Sequence, residues 1–197
     1  SRGRIIRKEF ENGVRQDFSY DDRNRRKTIT CSENGKTEVY EYNEALLTDR
    51  ILYEDGTCTA YEYSEDNLRT KETGRTGAVT EWEYDTHGRL IRETAPDGYE
   101  TYHTYDEAHD LVCDRDSEGR ETLFQYDADH NLLCRKEKIT DGQYRETHYT
   151  YDEKGRCTSI RDALGNVTLR QYDKNSAHPT CILTPKGEET NYGYDIV

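Results

Sequence analysis

A tyrosine recurs along this chain at Tyr20, Tyr42, Tyr63, Tyr84, Tyr105, Tyr126, Tyr151, Tyr172 and Tyr194, in steps of 22, 21, 21, 21, 21, 25, 21 and 22 residues. A glycine keeps pace with it at Gly13, Gly35, Gly56, Gly77, Gly98, Gly119, Gly142, Gly165 and Gly187. The glycine stands seven residues before the tyrosine in eight units, and nine before it only from Gly142 to Tyr151. Two series locked together over nine units define a tandem repeat of about 21 residues. A chain built this way buries surface against neighbouring units rather than in one centre.

Each recurring position has a physical reason. Asn12, Asn34, Asp55, Asp97 or Asp141 precedes the glycine in five units. Asn-Gly and Asp-Gly signal a tight two-residue hairpin turn in which both residues need positive φ. Two residues before the repeat tyrosine stand Phe18, Tyr40, Tyr61, Trp82, His103, Phe124, Tyr149, Arg170 and Tyr192. A spacing of two places them on one strand face with the tyrosine, and in "VTEWEY" (79–84) glutamates take the other face. The residue after the tyrosine is Asp21, Asn43, Ser64, Asp85, Asp106, Asp127, Asp152, Asp173 or Asp195. A short side chain with an oxygen acceptor there starts a turn. Four residues after the tyrosine, Asn24, Asn67, Gly88 and Gly155 suit a left-handed backbone. One unit is therefore two strands and two turns, and residues 1–197 read as one all-β array of tandem β-hairpins, a continuous antiparallel, coiled ribbon.

Composition agrees. Hydrophobic residues make up only 31% of the chain and charged residues 35%, which alone would suggest disorder, but 17 Tyr and three Pro favour ordered strands. A net charge of −13 repels phosphate backbones, so nucleic acid is not expected as a partner, and the one contrary patch, the basic run "RNRRK" (23–27), reads as a solvated loop. No apolar run approaches the roughly 18 residues of a membrane span. With no Met in the chain, an excised segment of a larger protein is expected.

"YDTHGRL" (84–90) and "YDEKGRC" (151–157), with the partial "GR" at Gly3 and Arg4, resemble the YD repeats of Rhs proteins. The resemblance covers essentially the whole chain, and "YNEALLT" (42–48) departs furthest from it. Similar repeats occur in bacterial wall-associated proteins, in shell-forming subunits of insecticidal toxin complexes, and in teneurins. The resemblance implies a fragment of an Rhs-type β-shell that encloses a polypeptide cargo, often a toxic C-terminal domain, in a secreted or cell-surface bacterial protein. The partners it implies are the rest of the parent chain and that cargo. The self-cleaving Asp-Pro-x-Gly motif of many bacterial members is absent, and "PDG" (96–98) reads as a hairpin tip. The alternative reading is a surface adhesion or carbohydrate-binding module. Unpaired end strands would make the isolated chain a monomer or an edge-paired dimer.

No enzyme is read from these residues. The 41 carboxylates mostly recur with the repeat, whereas a catalytic pair is a unique break in a pattern, and neither a phosphate loop nor a nucleophile motif is present. Cys31, Cys113, Cys134, Cys157 and Cys181 fall on the strand after the Tyr-Asp turn, and Cys58 on the other strand. Like strands of adjacent units lie about 9.6 Å apart, beyond the roughly 7 Å a disulfide spans, so half-buried free thiols are expected. No Cys-x-x-Cys spacing suggests a metal, and no cofactor is implied; His109 and His130 share a turn position, where polar turn tips are the first reading and a metal pair the second. The tyrosine columns read first as packing and second as a sugar-stacking platform. Binding candidates are the breaks in the pattern: Trp82, His103 and Arg170 in the aromatic column, and Tyr144 in "KITDGQYRETHY" (138–149), taken as a lengthened hairpin tip.

Overall fold

A computed structural model describes residues 3–31 and 35–194. Asn34 and Asp195, assigned above to a tip and a turn, lie outside the described residues. The described chain holds eighteen β-strands and no helix, hence no helix long and apolar enough to cross a membrane. It divides into two compact units, residues 1–100 and 101–197.

In the first unit the strands are β1 (Arg7–Glu9), β2 (Arg15–Asp21), β3 (Arg26–Cys31), β4 (Thr37–Tyr42), β5 (Thr48–Tyr53), β6 (Cys58–Tyr63), β7 (Arg69–Thr73), β8 (Val79–Tyr84) and β9 (Leu90–Thr94). The second carries β10 (Glu100–Tyr105), β11 (Leu111–Asp116), β12 (Glu121–Tyr126), β13 (Leu132–Thr140), β14 (Gln143–Tyr151), β15 (Cys157–Arg161), β16 (Val167–Gln171), β17 (Cys181–Leu183) and β18 (Glu189–Asn191). Within each unit every strand pairs antiparallel with its neighbours in the chain. The alternation read from "VTEWEY" is present in β8, where Glu81 and Glu83 are exposed and Trp82 and Tyr84 half-buried. Among the described residues only Cys134 and Thr59 are buried, and no large side chain is fully enclosed.

The tips at Gly56 and Gly98 differ from the expected two-residue turn. Gly56 adopts a φ of +80° and Gly98 of +83°, but Asp55 and Asp97 before them do not take positive φ. The loop holds three residues: the Gly56 N–H donates to Tyr53 O at 3.0 Å, and the Tyr53 N–H to Thr57 O at 3.0 Å. That is a type I turn closed by a left-handed glycine. The Asp acts through its side chain instead, accepting the Thr57 N–H at 3.0 Å, and Asp97 likewise accepts the Tyr99 N–H at 3.0 Å.

The second set of turns uses the same geometry. Gly88 N–H donates to Asp85 O at 3.0 Å, and Asp85 N–H to Arg89 O at 2.9 Å. Asn67, Gly88 and Gly155 are left-handed as expected, at φ of 64°, 77° and 72°, and His109 and His130 share that conformation. In the first repeat Arg25 takes it, not Asn24. There β2 runs on to Asp21, which pairs with Arg26, so the turn begins one residue later. A bulge follows in register: Glu83 faces Arg92 but Tyr84 faces Leu90, and the same slip precedes Tyr42, Tyr63, Tyr105, Tyr126 and Tyr151.

The 138–149 stretch is not a longer tip. Its additional residues lengthen the arms, so β13 and β14 are nine residues each and join at Asp141-Gly142. The run 23–27 is only partly loop: Arg26 and Lys27 open β3, and Lys27 Nζ lies 4.3 Å from the Tyr40 ring centre.

Leu46 occupies the left-handed position of the turn Asn43–Leu46, at φ 63° and 71% exposed. A left-handed backbone costs a side-chain-bearing residue about 1–2 kcal/mol, while glycine's greater unfolded freedom returns about 0.5–1 kcal/mol of that. Leu46→Gly is therefore expected to stabilise the chain by about 0.5–1 kcal/mol, read as a higher urea midpoint at unchanged slope. Leu46→Ala keeps the strain and should gain nothing; equal gains for both substitutions would contradict the account.

Candidate functional site

Where the recurrent phrase is complete, it builds a lock at the turn. In residues 151–156, Asp152 Oδ1 accepts the backbone N–H of Lys154 at 2.9 Å and of Arg156 at 3.0 Å. The Arg156 guanidinium donates from Nε to Asp152 Oδ2 at 2.8 Å. Asp85 receives the same three bonds from His87 N–H (2.8 Å), Arg89 N–H (3.0 Å) and Arg89 Nε (2.7 Å). Both carboxyls titrate at about 2. For Asp152 the Arg156 side-chain bond is the main cause. For Asp85 desolvation pushes upward and is outweighed by the bonds from Arg89 and His87. Where the phrase is degraded the acceptor persists, with Asn43 Oδ1 taking the Leu47 N–H at 3.0 Å and Ser64 Oγ the Leu68 N–H at 3.3 Å.

The tyrosine supplies a second element. Six of the repeat tyrosines donate their phenol O–H to a backbone carbonyl upstream: Tyr20 to Ile5, Tyr63 to Thr48, Tyr84 to Arg69, Tyr151 to Leu132, Tyr172 to Cys157 and Tyr194 to Pro179, at 2.7–2.9 Å. The span is 15 residues in five of them and 19 for Tyr151, whose hairpin has longer arms. The partner is the first residue of the preceding strand for Thr48, Arg69, Leu132 and Cys157, and lies two residues before it for Ile5 and Pro179. Each phenol thus clips the open end of a hairpin whose other end is the glycine tip. The remaining repeat tyrosines Tyr42, Tyr105 and Tyr126 close β4, β10 and β12.

Successive turns are also tied. Arg156 Nη1 donates to Asp173 O and Ser176 O, both at 2.7 Å, and its guanidinium lies 4.7 Å from the Tyr172 ring centre. Arg4 repeats this at Tyr20 (4.9 Å) and pairs with Asp22. His130 Nδ1 meets Asp110 Oδ2 at 2.8 Å, so it serves the turn column rather than a pair with His109.

The pattern-breaking residues sit in separate settings. Trp82 is half-buried on β8, lining a groove with Leu47, Tyr63, Leu68 and Tyr84. His103 on β10 meets its cross-strand partner Asp114, Nδ1 to Oδ1 at 2.6 Å. The Tyr144 hydroxyl donates to Glu121 Oε1 at 2.8 Å, which raises its pKa. Arg170 is half-buried on β16 opposite Ile182.

All six cysteines are free thiols. Burial raises the pKa of Cys113 and Cys134. One group among the described residues combines metal-ligating atoms, Cys134 with Glu146 and His148. Sequence spacing missed it because it forms across two strands. The upstream carbonyls clipped by the tyrosines were equally invisible, since main-chain oxygens leave no letter.

The RHS Repeat family model matches residues 84–112 and 137–167. No curated protein matches the chain. Among solved structures, the crystal structure of TcdB2-TccC3-Cdc42 superposes with a TM-score of 0.66 at 15% identity, over 93% of this chain and 11% of that one. The Photorhabdus luminescens Tc holotoxin pore gives 0.65 at 15% identity, over 90% of this chain and 11% of that one. TcdB2-TccC3 without its hypervariable C-terminal region gives 0.68 at 14% identity, over 96% and 11%. At these identities the likeness is one of fold, and the chain spans about a ninth of each of those chains. Locked Tyr-Asp turns thus repeat along antiparallel hairpins, and two stretches of the chain, residues 84–112 and 137–167, are similar to the RHS Repeat family.

Proposed function

We propose that this chain is a wall-forming segment of a larger Rhs-type protein, part of a shell around a polypeptide cargo. The observation that carries the reading is how little is buried: among the described residues, only Cys134 and Thr59. The strands are held by the backbone ladder, the phenol clips and the Asp turn locks, which suits a barrier separating two spaces better than a body with its own core. The family match and the fold likeness to TcdB2-TccC3 support it. The mechanism is steric and asks no chemistry of the side chains. A secreted or surface-exposed bacterial setting goes with the same reading, with the rest of the parent chain as the main partner.

Limited proteolysis of the parent chain tests it. A C-terminal segment inside an intact array should resist protease and become cleavable once the array is opened with denaturant. Cleavage as fast as that of the isolated segment would contradict enclosure. Carbohydrate binding has one observation in its favour, a groove of about 720 Å³ that Tyr149 and Tyr151 line together with Asp127 and Asn131. Binding on a glycan array that is lost in Tyr149→Ala would support that second reading.

A further inference from the structure

The lengthened hairpin β13–β14 brings together three side chains of different chemistry. Cys134 stands directly opposite His148, and Lys136 opposite Glu146. Residues two apart share a strand face, so Cys134, Glu146 and His148 project from the same side. The Cys134 sulfur, a Glu146 carboxylate oxygen and a His148 ring nitrogen all lie within 4.8 Å of one another. From this juxtaposition we propose that Cys134, Glu146 and His148 form a zinc-binding site that braces the longest hairpin of the chain.

The geometry fits the ion. Zinc takes four tetrahedral ligands with bonds of about 2.0–2.1 Å to nitrogen or oxygen and about 2.3 Å to sulfur, which sets neighbouring ligand atoms roughly 3.3–3.6 Å apart. Glu146 Oε2 and His148 Nε2 already stand 3.2 Å apart. Cys134 is the most buried residue described, at 3% exposure, and anchors the site from below. Glu146 is half-buried and His148 exposed, so the ion has a path in from solvent, and water would complete the fourth position. A thiolate, an imidazole and a carboxylate favour zinc over calcium or magnesium, which prefer oxygen alone. Binding displaces the thiol proton to solvent. Lys136 is the built-in competitor, its Nζ 3.0 Å from Glu146 Oε1. The site spans β13 and β14, so an ion there would resist their separation. This inference does not depend on the enclosure of any cargo.

The test is a titration of the reduced 197-residue chain with Co²⁺, then displacement by Zn²⁺. The expected result is saturation at one equivalent, with visible bands of tetrahedral intensity and a near-ultraviolet sulfur-to-cobalt charge-transfer band, all lost on adding Zn²⁺. Cys134→Ser should remove the charge-transfer band, whereas Cys113→Ser, on β11, should keep it. His148→Ala, at an exposed position, should abolish saturable binding while leaving the unfolding temperature without metal unchanged. Lys136→Gln frees Glu146 and should tighten binding about two- to five-fold, the range for releasing an exposed ion pair. Absence of the charge-transfer band, its survival in Cys134→Ser, or only weak multi-site binding that His148→Ala leaves intact would overturn the proposal.

Discussion

Tyr84→Ala is expected to destabilise the chain by about 1–3 kcal/mol, and Tyr84→Phe by only about 0.5–1.5 kcal/mol. Tyr84 ends β8 half-buried, and its hydroxyl donates to Arg69 O at 2.8 Å. Phenylalanine removes one hydrogen bond to a carbonyl that water can still reach. Alanine also removes the ring, whose burial is worth about 1.5–3 kcal/mol when complete. The ring thus stabilises more than the hydroxyl does, while the hydroxyl fixes where the ring sits. Leu164→Ala, at a tip where the side chain is 88% exposed, is the control and should stay within about 0.5 kcal/mol. Urea unfolding of the three variants decides the matter, and a Tyr84→Ala effect no larger than the Leu164→Ala effect would rule out the clip. In a repeat array stability is close to a sum over neighbours, so the loss should appear first as local opening of β7–β8.

Acid is the second large lever. Asp85 and Asp152 titrate at about 2 in the folded chain, and Asp21, Asp127 and Asp162 are also lowered, in each case chiefly by an Asn side chain within its own turn. An unfolded Asp titrates at about 3.9. A carboxylate lowered by folding contributes stability that is fully present above its unfolded value and is lost as pH falls through its folded value. The contributions therefore share one sign, and stability should fall steadily from about pH 4 to about pH 2. The Arg156→Gln variant keeps the backbone donors but removes the guanidinium, so the Asp152 midpoint should rise toward 3.9 and acid unfolding should begin at higher pH. Carboxyl carbon shifts followed by NMR would read this directly. A wild-type Asp152 midpoint near 3.9 would contradict the turn lock.

The elements legible in sequence are those whose physics is local. A short acceptor after the tyrosine and a left-handed residue three positions later define a turn within six letters, and Asp85 through Gly88 obey it. The sparse core was likewise readable from few apolar residues and many tyrosines. What escaped depends on register. The Gly56 tip uses three residues, so Asp55 works through its carboxylate, a distinction the pair Asp-Gly does not carry. The long hairpin hid its extra residues in the arms, because letter counts do not separate a tip from a strand. Cys134 and His148 meet only once pairing across Asp141-Gly142 is known. Leu46 takes a left-handed position against its own preference because the surrounding turn bonds, from Asn43 and Leu47, hold the backbone there.

The central claim is that the recurring letters are turn locks and hairpin clips, repeated along the chain in place of a core. Amide hydrogen exchange on the intact chain tests it most directly. The account predicts protection that recurs with the 21-residue period, and it predicts that the turn amides of Arg89 and Arg156, held by Asp85 and Asp152, exchange as slowly as ladder amides. A single slow-exchanging nucleus in an otherwise open chain, or turn amides that exchange as freely as in an unstructured peptide, would contradict it.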